Sequence, residues 1–193
     1  MIKAIIFDCF GVLTTESFYA FQDEYLKDSD KKREEANKAM DAVNAGLSSH
    51  SVFIKKLAAI SEMSEEKVEQ FLSNNQPNKP LFDYIRLQLK PKYKIGLLSN
   101  AGDNWLEELF GKEDLKLFDD TVLSFEHGVI KPSKGIFFLS AKRLEANPEN
   151  CVFIDDRQKH IDGAKDSGMK GVRYKDFEQM KAELERLLAD SDR

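Results

Sequence analysis

Asp8, Ser99, Asn100, Lys131, Asp155 and Asp156 are the residues of this chain whose types and positions could do chemistry. Asp8 follows the apolar run Lys3-Ala4-Ile5-Ile6-Phe7. Ser99 and Asn100 follow Lys94-Ile95-Gly96-Leu97-Leu98, and Asp155 and Asp156 follow Cys151-Val152-Phe153-Ile154. Lys131 lies in the loop after Thr121-Val122-Leu123. Sites in open parallel α/β sheets form outside the carboxyl ends of the strands, so neighbouring strands would bring these residues to one place. Carboxylates brought together there repel one another. Each pair about 4 Å apart costs roughly 4 kcal/mol at an effective dielectric near 20. Either some stay protonated or a cation sits among them. Hard oxygen ligands with few histidines favour Mg²⁺. Lys131 adds a fixed positive charge, and Ser99 and Asn100 add donors. That combination suits a phosphoryl group.

The elements needed to hold these residues are legible in the pattern. The four runs, with Gly171-Val172-Arg173, read as short strands. Between them lie helical stretches. One carries Trp105, Leu106, Leu109 and Phe110, with Asp103 as its expected cap. Another carries Ile136, Phe137, Ser140 and Leu144 after Ser133. A third ends at Gly168, and the last is marked by Phe177, Met180, Leu184 and Leu187. Strands alternating with helices imply a parallel sheet covered on both faces. From about Glu16 to Leu89 the character changes to charged and helical in period. Phe18, Phe21 and Tyr25 recur at helical spacing, 31–43 reads as a charged helix, and Ser64 is placed to cap a helix bearing Val68, Phe71 and Leu72. Residues 74–80 read as a polar, proline-bearing linker. The expected division is an α/β core formed by residues 1–15 and 86–193, and an all-helical insert over 16–85.

Bulk properties narrow the function class. A chain of 193 residues suits one α/β domain with a small insert. A net charge of −5 gives no broad pull on nucleic acid or anionic membrane, so neither is an expected partner. No stretch approaches a membrane span. The two cysteines, Cys9 and Cys151, border apolar runs and read as buried thiols in a reducing compartment, with the cytoplasm as the expected location.

The motifs also resemble those of a known family. Ile5-Ile6-Phe7-Asp8-Cys9-Phe10-Gly11-Val12-Leu13, Leu97-Leu98-Ser99-Asn100, Gly128-Val129-Ile130-Lys131-Pro132 and Phe153-Ile154-Asp155-Asp156 with Gly163-Ala164 resemble, in order, the four motifs of the haloacid dehalogenase-like hydrolases. The resemblance implies a Rossmann-like parallel sheet flanked by helices, with the insert as an α-helical cap. It implies a phosphatase-type hydrolase of a small phosphorylated metabolite. Asp8 would be the nucleophile, forming an aspartyl-phosphate. Asp8, the backbone carbonyl of Phe10 and one or both of Asp155 and Asp156 would hold Mg²⁺, with Asp156 the more direct ligand. Ser99, Asn100 and Lys131 would bind the transferring phosphoryl group, and the cap would exclude water.

Phe10 departs from the pattern. Family phosphatases carry an aspartate there, which protonates the leaving oxygen and then activates water. General acid–base catalysis typically supplies about 10²–10⁴-fold, so ordinary phosphomonoester turnover is expected to suffer. Three readings follow: a phosphatase with a displaced acid or an unusual substrate, a metal-independent dehalogenase-like hydrolase, or a catalytically weak module that binds Mg²⁺ and a phosphorylated ligand. The first is preferred because Asp8, Lys131 and the Asp155–Asp156 pair form a set that phosphoryl transfer would use. Glu16, at the start of the linker to the insert, reads first as an exposed glutamate and only second as a substitute acid. Trp105 and Phe10 read as packing residues. His160 reads first as a residue of the helix after Asp156 and only second as a metal ligand.

Overall fold

The computed structural model describes residues 1–191. Five strands form one sheet: β1 (Ala4–Phe7), β2 (Lys94–Ser99), β3 (Asp120–Leu123), β4 (Cys151–Asp155) and β5 (Lys170–Arg173). Their order is β3-β2-β1-β4-β5, and every pairing is parallel. The chain builds outward from β1 to one edge and then returns to lay β4 against its other side. β1 therefore stands at the switch point, the crevice where such sheets bind ligands.

Period-two alternation explains how these short strands are buried on both faces. Ile5 and Phe7 of β1, with Ile95, Leu97, Val152 and Ile154, join a layer closed by α5 (Lys79–Tyr84) and α10 (Phe177–Ser191). Ala4 and Ile6, with Leu98 and Phe153, face the opposite layer, closed by α8 (Lys134–Arg143) and α9 (Gln158–Asp166). The alternating α/β core expected from the run pattern is the observed one.

The insert comprises α1 (Ser17–Tyr25), α2 (Asp30–Asn44), α3 (His50–Ser61) and α4 (Glu65–Leu72). Ser29, Ser49 and Ser64 each accept a hydrogen bond from a backbone N–H in the first turn of the helix that follows, which fixes where those helices begin. Phe18, Phe21, Val43, Phe53, Leu57 and Val68 give the insert its own apolar cluster, separate from the two layers on the sheet. Leu81, Phe82, Tyr84 and Ile85 instead pack with the sheet, so the chain rejoins the core some residues before the expected boundary at 85/86. Asn78 caps α5, and Pro80 occupies its first turn, where a proline's missing N–H leaves no bond unmade. The linker thus ends at Asn78 rather than at Pro80.

A second local difference follows β2. The expected helix there is the single turn α6 (Leu106–Leu109), succeeded by another single turn, α7 (Lys112–Leu115). Asp103 does not cap it: Asp103 accepts from the N–H of Asn104, and Asn104 accepts from that of Leu106. Among the described residues no helix is long and apolar enough to cross a membrane.

Candidate active site

The parallel register brings the ends of β1, β2 and β4 level, since Phe7 lies opposite Leu97 on one side and Ile154 on the other. Asp8, Ser99 and Asp155 emerge there together, and all three are buried. Lys131 reaches them from the loop after β3. Its Nζ lies 2.6 Å from Asp8 Oδ1 and 2.8 Å from Asp155 Oδ2, and it donates to the Leu98 carbonyl at 3.2 Å. Lys131, expected from the sequence as a catalytic and phosphoryl-binding cation, is here first a bridge between two carboxylates.

Asn100 explains how Lys131 is aimed. The Lys131 N–H donates to Asn100 Oδ1 at 2.8 Å, and Asn100 Nδ2 donates to the Lys131 carbonyl at 3.1 Å. The side-chain amide assigned to phosphate on sequence is thus engaged with the backbone of Lys131. Gly163, in α9, supports the same loop from behind. A Cβ there would come within 2.6 Å of the Pro132 carbonyl, so only glycine lets the helix pack this close. Ser99 lines the cavity beside them and is all but inaccessible.

Asp155 is saturated. Oδ2 accepts from Lys131, Oδ1 accepts from the Arg157 N–H at 2.8 Å, and His160 Nδ1 lies 3.0 and 2.9 Å from the two oxygens. Burial alone would raise this carboxyl, but Lys131 and His160 outweigh it and hold Asp155 well below the usual range. Burial lowers His160 in turn, against the pull of Asp155, which favours the neutral ring. With Nδ1–H donating to Asp155, His160 Nε2 is left buried without a partner. Sequence reasoning gave His160 only a secondary reading as a metal ligand and did not place it on Asp155. The available signal was a histidine in the first turn of a helix that starts just after a strand-end carboxylate.

Asp8 and Asp156 are in the opposite condition. Asp8 Oδ1 accepts from Lys131 and from the N–H of Cys9 at 2.7 Å, while no N–H or ammonium donor engages Oδ2 among the described residues. Burial and the charge of Asp155 push Asp8 well above the ordinary carboxylate range, against the ammonium of Lys131. Asp156 Oδ1 is buried without a partner, and burial with the charge of Asp155 raises this carboxyl too. The loop after Asp8 presses close to it. Gly11, at φ +80°, would place a Cβ 2.8 Å from Asp156 Oδ2. The Phe10 carbonyl, in the same loop, carries no hydrogen bond among the described residues. Free oxygens on Asp8, Phe10 and Asp156, on carboxyls that lack enough positive charge to ionise readily, are the donor set a hard divalent cation satisfies. Asp8, Asp155 and His160 also lie close enough to share an ion, their ligand atoms being within 4.8 Å of one another. The bonds that already fill Asp155 argue for Asp156 as the direct ligand in its place.

A cavity of about 540 Å³ opens above this cluster, between the insert and the core. Asp8, Lys131, Ser99 and Asn100 line its core side, and Phe18, Met40, Phe53 and Leu72 line the insert side. The Phe10 ring stacks edge-on against Trp105 with centroids 4.6 Å apart, and both face the cavity. The insert is seated on the core here: Ser124 Oγ donates to the Asn44 carbonyl at 2.5 Å. Glu16 is not the exposed glutamate expected. Its side chain is only 18% exposed and also lines the cavity.

Comparison with known proteins identifies the family and the fold. A family model described as a haloacid dehalogenase-like hydrolase matches residues 2–168. A glyceraldehyde 3-phosphate phosphatase of Methanopyrus kandleri is 37% identical over 94 residues, 45% of this chain. That match spans only 40% of the relative's own length. A D-ribitol-5-phosphate phosphatase of Bacteroides thetaiotaomicron is 27% identical over 201 residues, covering 95% of this chain and 97% of that one. A HAD family enzyme of Bacteroides thetaiotaomicron, solved in complex with magnesium and inorganic phosphate, shares the fold with a TM-score of 0.71 at 22% identity, over 91% of this chain and 95% of that chain.

Proposed function

The chain belongs to the haloacid dehalogenase-like hydrolases, and on that premise we propose that it is a Mg²⁺-dependent phosphatase of small phosphorylated metabolites, acting through a phosphoryl group carried on Asp8. The observation that carries this reading is the unequal treatment of the carboxylates. Asp155 is saturated by Lys131, His160 and the Arg157 N–H, whereas no N–H or ammonium donor engages Asp8 Oδ2 among the described residues and Asp156 Oδ1 is buried without a partner. Asp8, the Phe10 carbonyl and Asp156 would hold Mg²⁺, with Asp155 behind them. Bound there, the ion would supply the charge that keeps Asp8 ionised and neutralises the phosphoryl oxygens.

The chain's own residues account for the rest. Lys131 and the Cys9 N–H hold Asp8 Oδ1 and so fix the orientation of the carboxylate for in-line attack on phosphorus. Asn100 holds Lys131 by its backbone, and Ser99 faces the same space. The insert closes over the cavity and excludes water from the transfer step. The relatives named as phosphatases of a sugar alcohol phosphate and a triose phosphate support a small phosphorylated metabolite as the substrate class.

The edge contact of Phe10 with Trp105 favours one other reading, a dehalogenase-like hydrolysis that needs neither a metal nor an acid at position 10. The unpartnered Asp156 oxygen weighs against it, because a metal-free site gains nothing from a second buried carboxyl. The test is turnover of aryl and acyl phosphates with Mg²⁺, its loss with EDTA, and its loss in Asp8→Asn. Metal-independent turnover of a haloacid, with none of any phosphate, overturns the proposal.

A further inference from the structure

The proposed reaction needs a group that protonates the leaving oxygen and later deprotonates water, and Phe10 can do neither. We infer that Glu16, carried on the linker into the insert, is the general acid–base residue of this site, held in place by Arg157 and by the start of α1. This rests on the phosphatase reading above and goes beyond it by assigning the missing proton carrier.

The geometry points to Glu16 among the carboxylates of the cavity. Asp8 is the nucleophile of the proposed reaction, Glu69 is paired with His50 at 2.9 Å, Asp103 accepts from the N–H of Asn104 at 2.7 Å, and Glu108 of α6 is exposed. Glu16 is anchored at both ends of its carboxylate. Oε1 accepts from the Phe18 N–H at 3.1 Å, as the cap of α1, and Oε2 lies 3.6 Å from Arg157 Nη2. Arg157 is itself braced, its guanidinium resting 4.5 Å from the centre of the Tyr19 ring. The side chain lines the cavity with Asp8, Phe10 and Lys131. As the N-cap of α1 it reaches that space from the start of the insert.

The charges around Glu16 suit the task. Arg157, Asp156, Lys131, the Tyr19 phenol and the Cys9 thiol are the titratable and charged groups facing it. Burial outweighs Arg157 and the Phe18 N–H and pushes the carboxyl up to about 7. A group poised near neutral pH can hold a proton for the first step and accept one in the second. In the first step an Asp8 oxygen bonds to phosphorus, the bond from phosphorus to the leaving oxygen breaks, and Glu16 gives that oxygen its proton. In the second a water oxygen bonds to phosphorus, Glu16 takes the water's proton, and the bond to Asp8 breaks. Inorganic phosphate leaves with Asp8 and Glu16 restored.

The experiment compares wild type and Glu16→Gln on p-nitrophenyl phosphate, whose leaving group needs little acid, and glycerol phosphate, whose alkoxide needs it. Glutamine keeps the size and the oxygen that caps α1. Glu16→Gln is expected to lower kcat on glycerol phosphate by about 10²-fold or more. Formation of the Asp8 phosphoryl adduct from p-nitrophenyl phosphate, read by mass in a single turnover, should change by no more than a few fold, while its breakdown slows. The alkaline fall of kcat/KM near pH 7 should vanish in Glu16→Gln and move to higher pH in Arg157→Gln, because Arg157 lowers Glu16. Equal losses in the rate of adduct formation from both substrates, or an unmoved pH profile, overturn the assignment. Absence of any phosphoryl adduct in the wild type defeats the phosphatase reading itself. An adduct that forms normally while Glu16→Gln matches wild type on glycerol phosphate defeats only the role of Glu16.

Discussion

The floor of the cavity and its rim treat polar atoms in opposite ways. At the floor, at the ends of β1 and β4, Lys131, Asp8 and Asp155 are buried and tied by bonds of 2.6 and 2.8 Å. At the rim, Phe10 and Trp105 present aromatic edges, and Glu16 is partly open with a looser 3.6 Å approach to Arg157. The floor belongs to the sheet, whose strands cannot shift without breaking their ladder. The rim belongs to loops and to the linker into the insert. Phosphoryl transfer needs charges that do not move, whereas proton transfer needs a group that meets leaving groups of different shapes. Placing the carboxylates at strand ends and the proton carrier on the linker separates those demands.

The comparison predicts unequal damage. Lys131→Met strikes the floor hardest, because it leaves two buried carboxylates without their shared cation. Breaking a buried ion pair from one side typically costs about 3–5 kcal/mol, and urea unfolding in EDTA should show a loss of that size. Asp8 already sits above its ordinary range, and without Lys131 it rises further. A carboxyl raised in the fold is destabilising above its unfolded pKa, so the loss should be greatest at pH 8 and shrink toward pH 5. A variant as stable as wild type at pH 8 would show that the floor is not held by this cluster.

The rim should respond in rate rather than in stability. Phe10→Asp puts a carboxyl where the ring now meets Trp105. If Glu16 already carries the proton, the gain in glycerol phosphate turnover in the wild-type background should be about tenfold or less. In a Glu16→Gln background it should approach the roughly 10²–10⁴-fold that acid–base catalysis supplies. Equal gains in both backgrounds would separate Glu16 from the proton path. Asn100→Ala tests the boundary between floor and rim. It leaves the Lys131 N–H and carbonyl without their side-chain partner, and unfolding should register a loss of about 1–3 kcal/mol.

The sequence revealed the floor better than the rim, for a physical reason. A strand buried on both faces writes itself as an unbroken apolar run, and a polar residue ending such a run has one place to go. That logic located Asp8, Ser99, Asp155 and Asp156 and the sheet that gathers them. It did not reveal which partner each would take. Whether Lys131 faces a phosphate or bridges two carboxylates depends on how the loop after β3 folds back, which Asn100 and Gly163 decide from distant positions. His160 and Glu16 were opaque for the same reason. A histidine or glutamate in a polar helical segment looks solvated until a neighbouring element covers it. The helix expected over Trp105 to Phe110 is only the single turn α6, because apolar spacing near Trp105 is compatible with a helix or a short turn.

The smallest predicted effect is also the most direct probe of the rim. Glu16 is raised from an ordinary 4.5 to about 7 by burial, so the folded protein holds its proton over a range where the unfolded chain has released it. Stability must then fall as pH rises through that window and level off above it. Glutamine has no proton to lose. Glu16→Gln should therefore melt close to wild type near pH 4.5 and pull ahead by about 2–4 °C at pH 8, if the relief is near 1 kcal/mol for a chain of this size. Differential scanning at both pH values reads this without any substrate. A difference that stays constant with pH would mean that Glu16 ionises as an ordinary surface carboxylate does. The rim would then have no proton reservoir, and the contrast with the floor would reduce to one of shape.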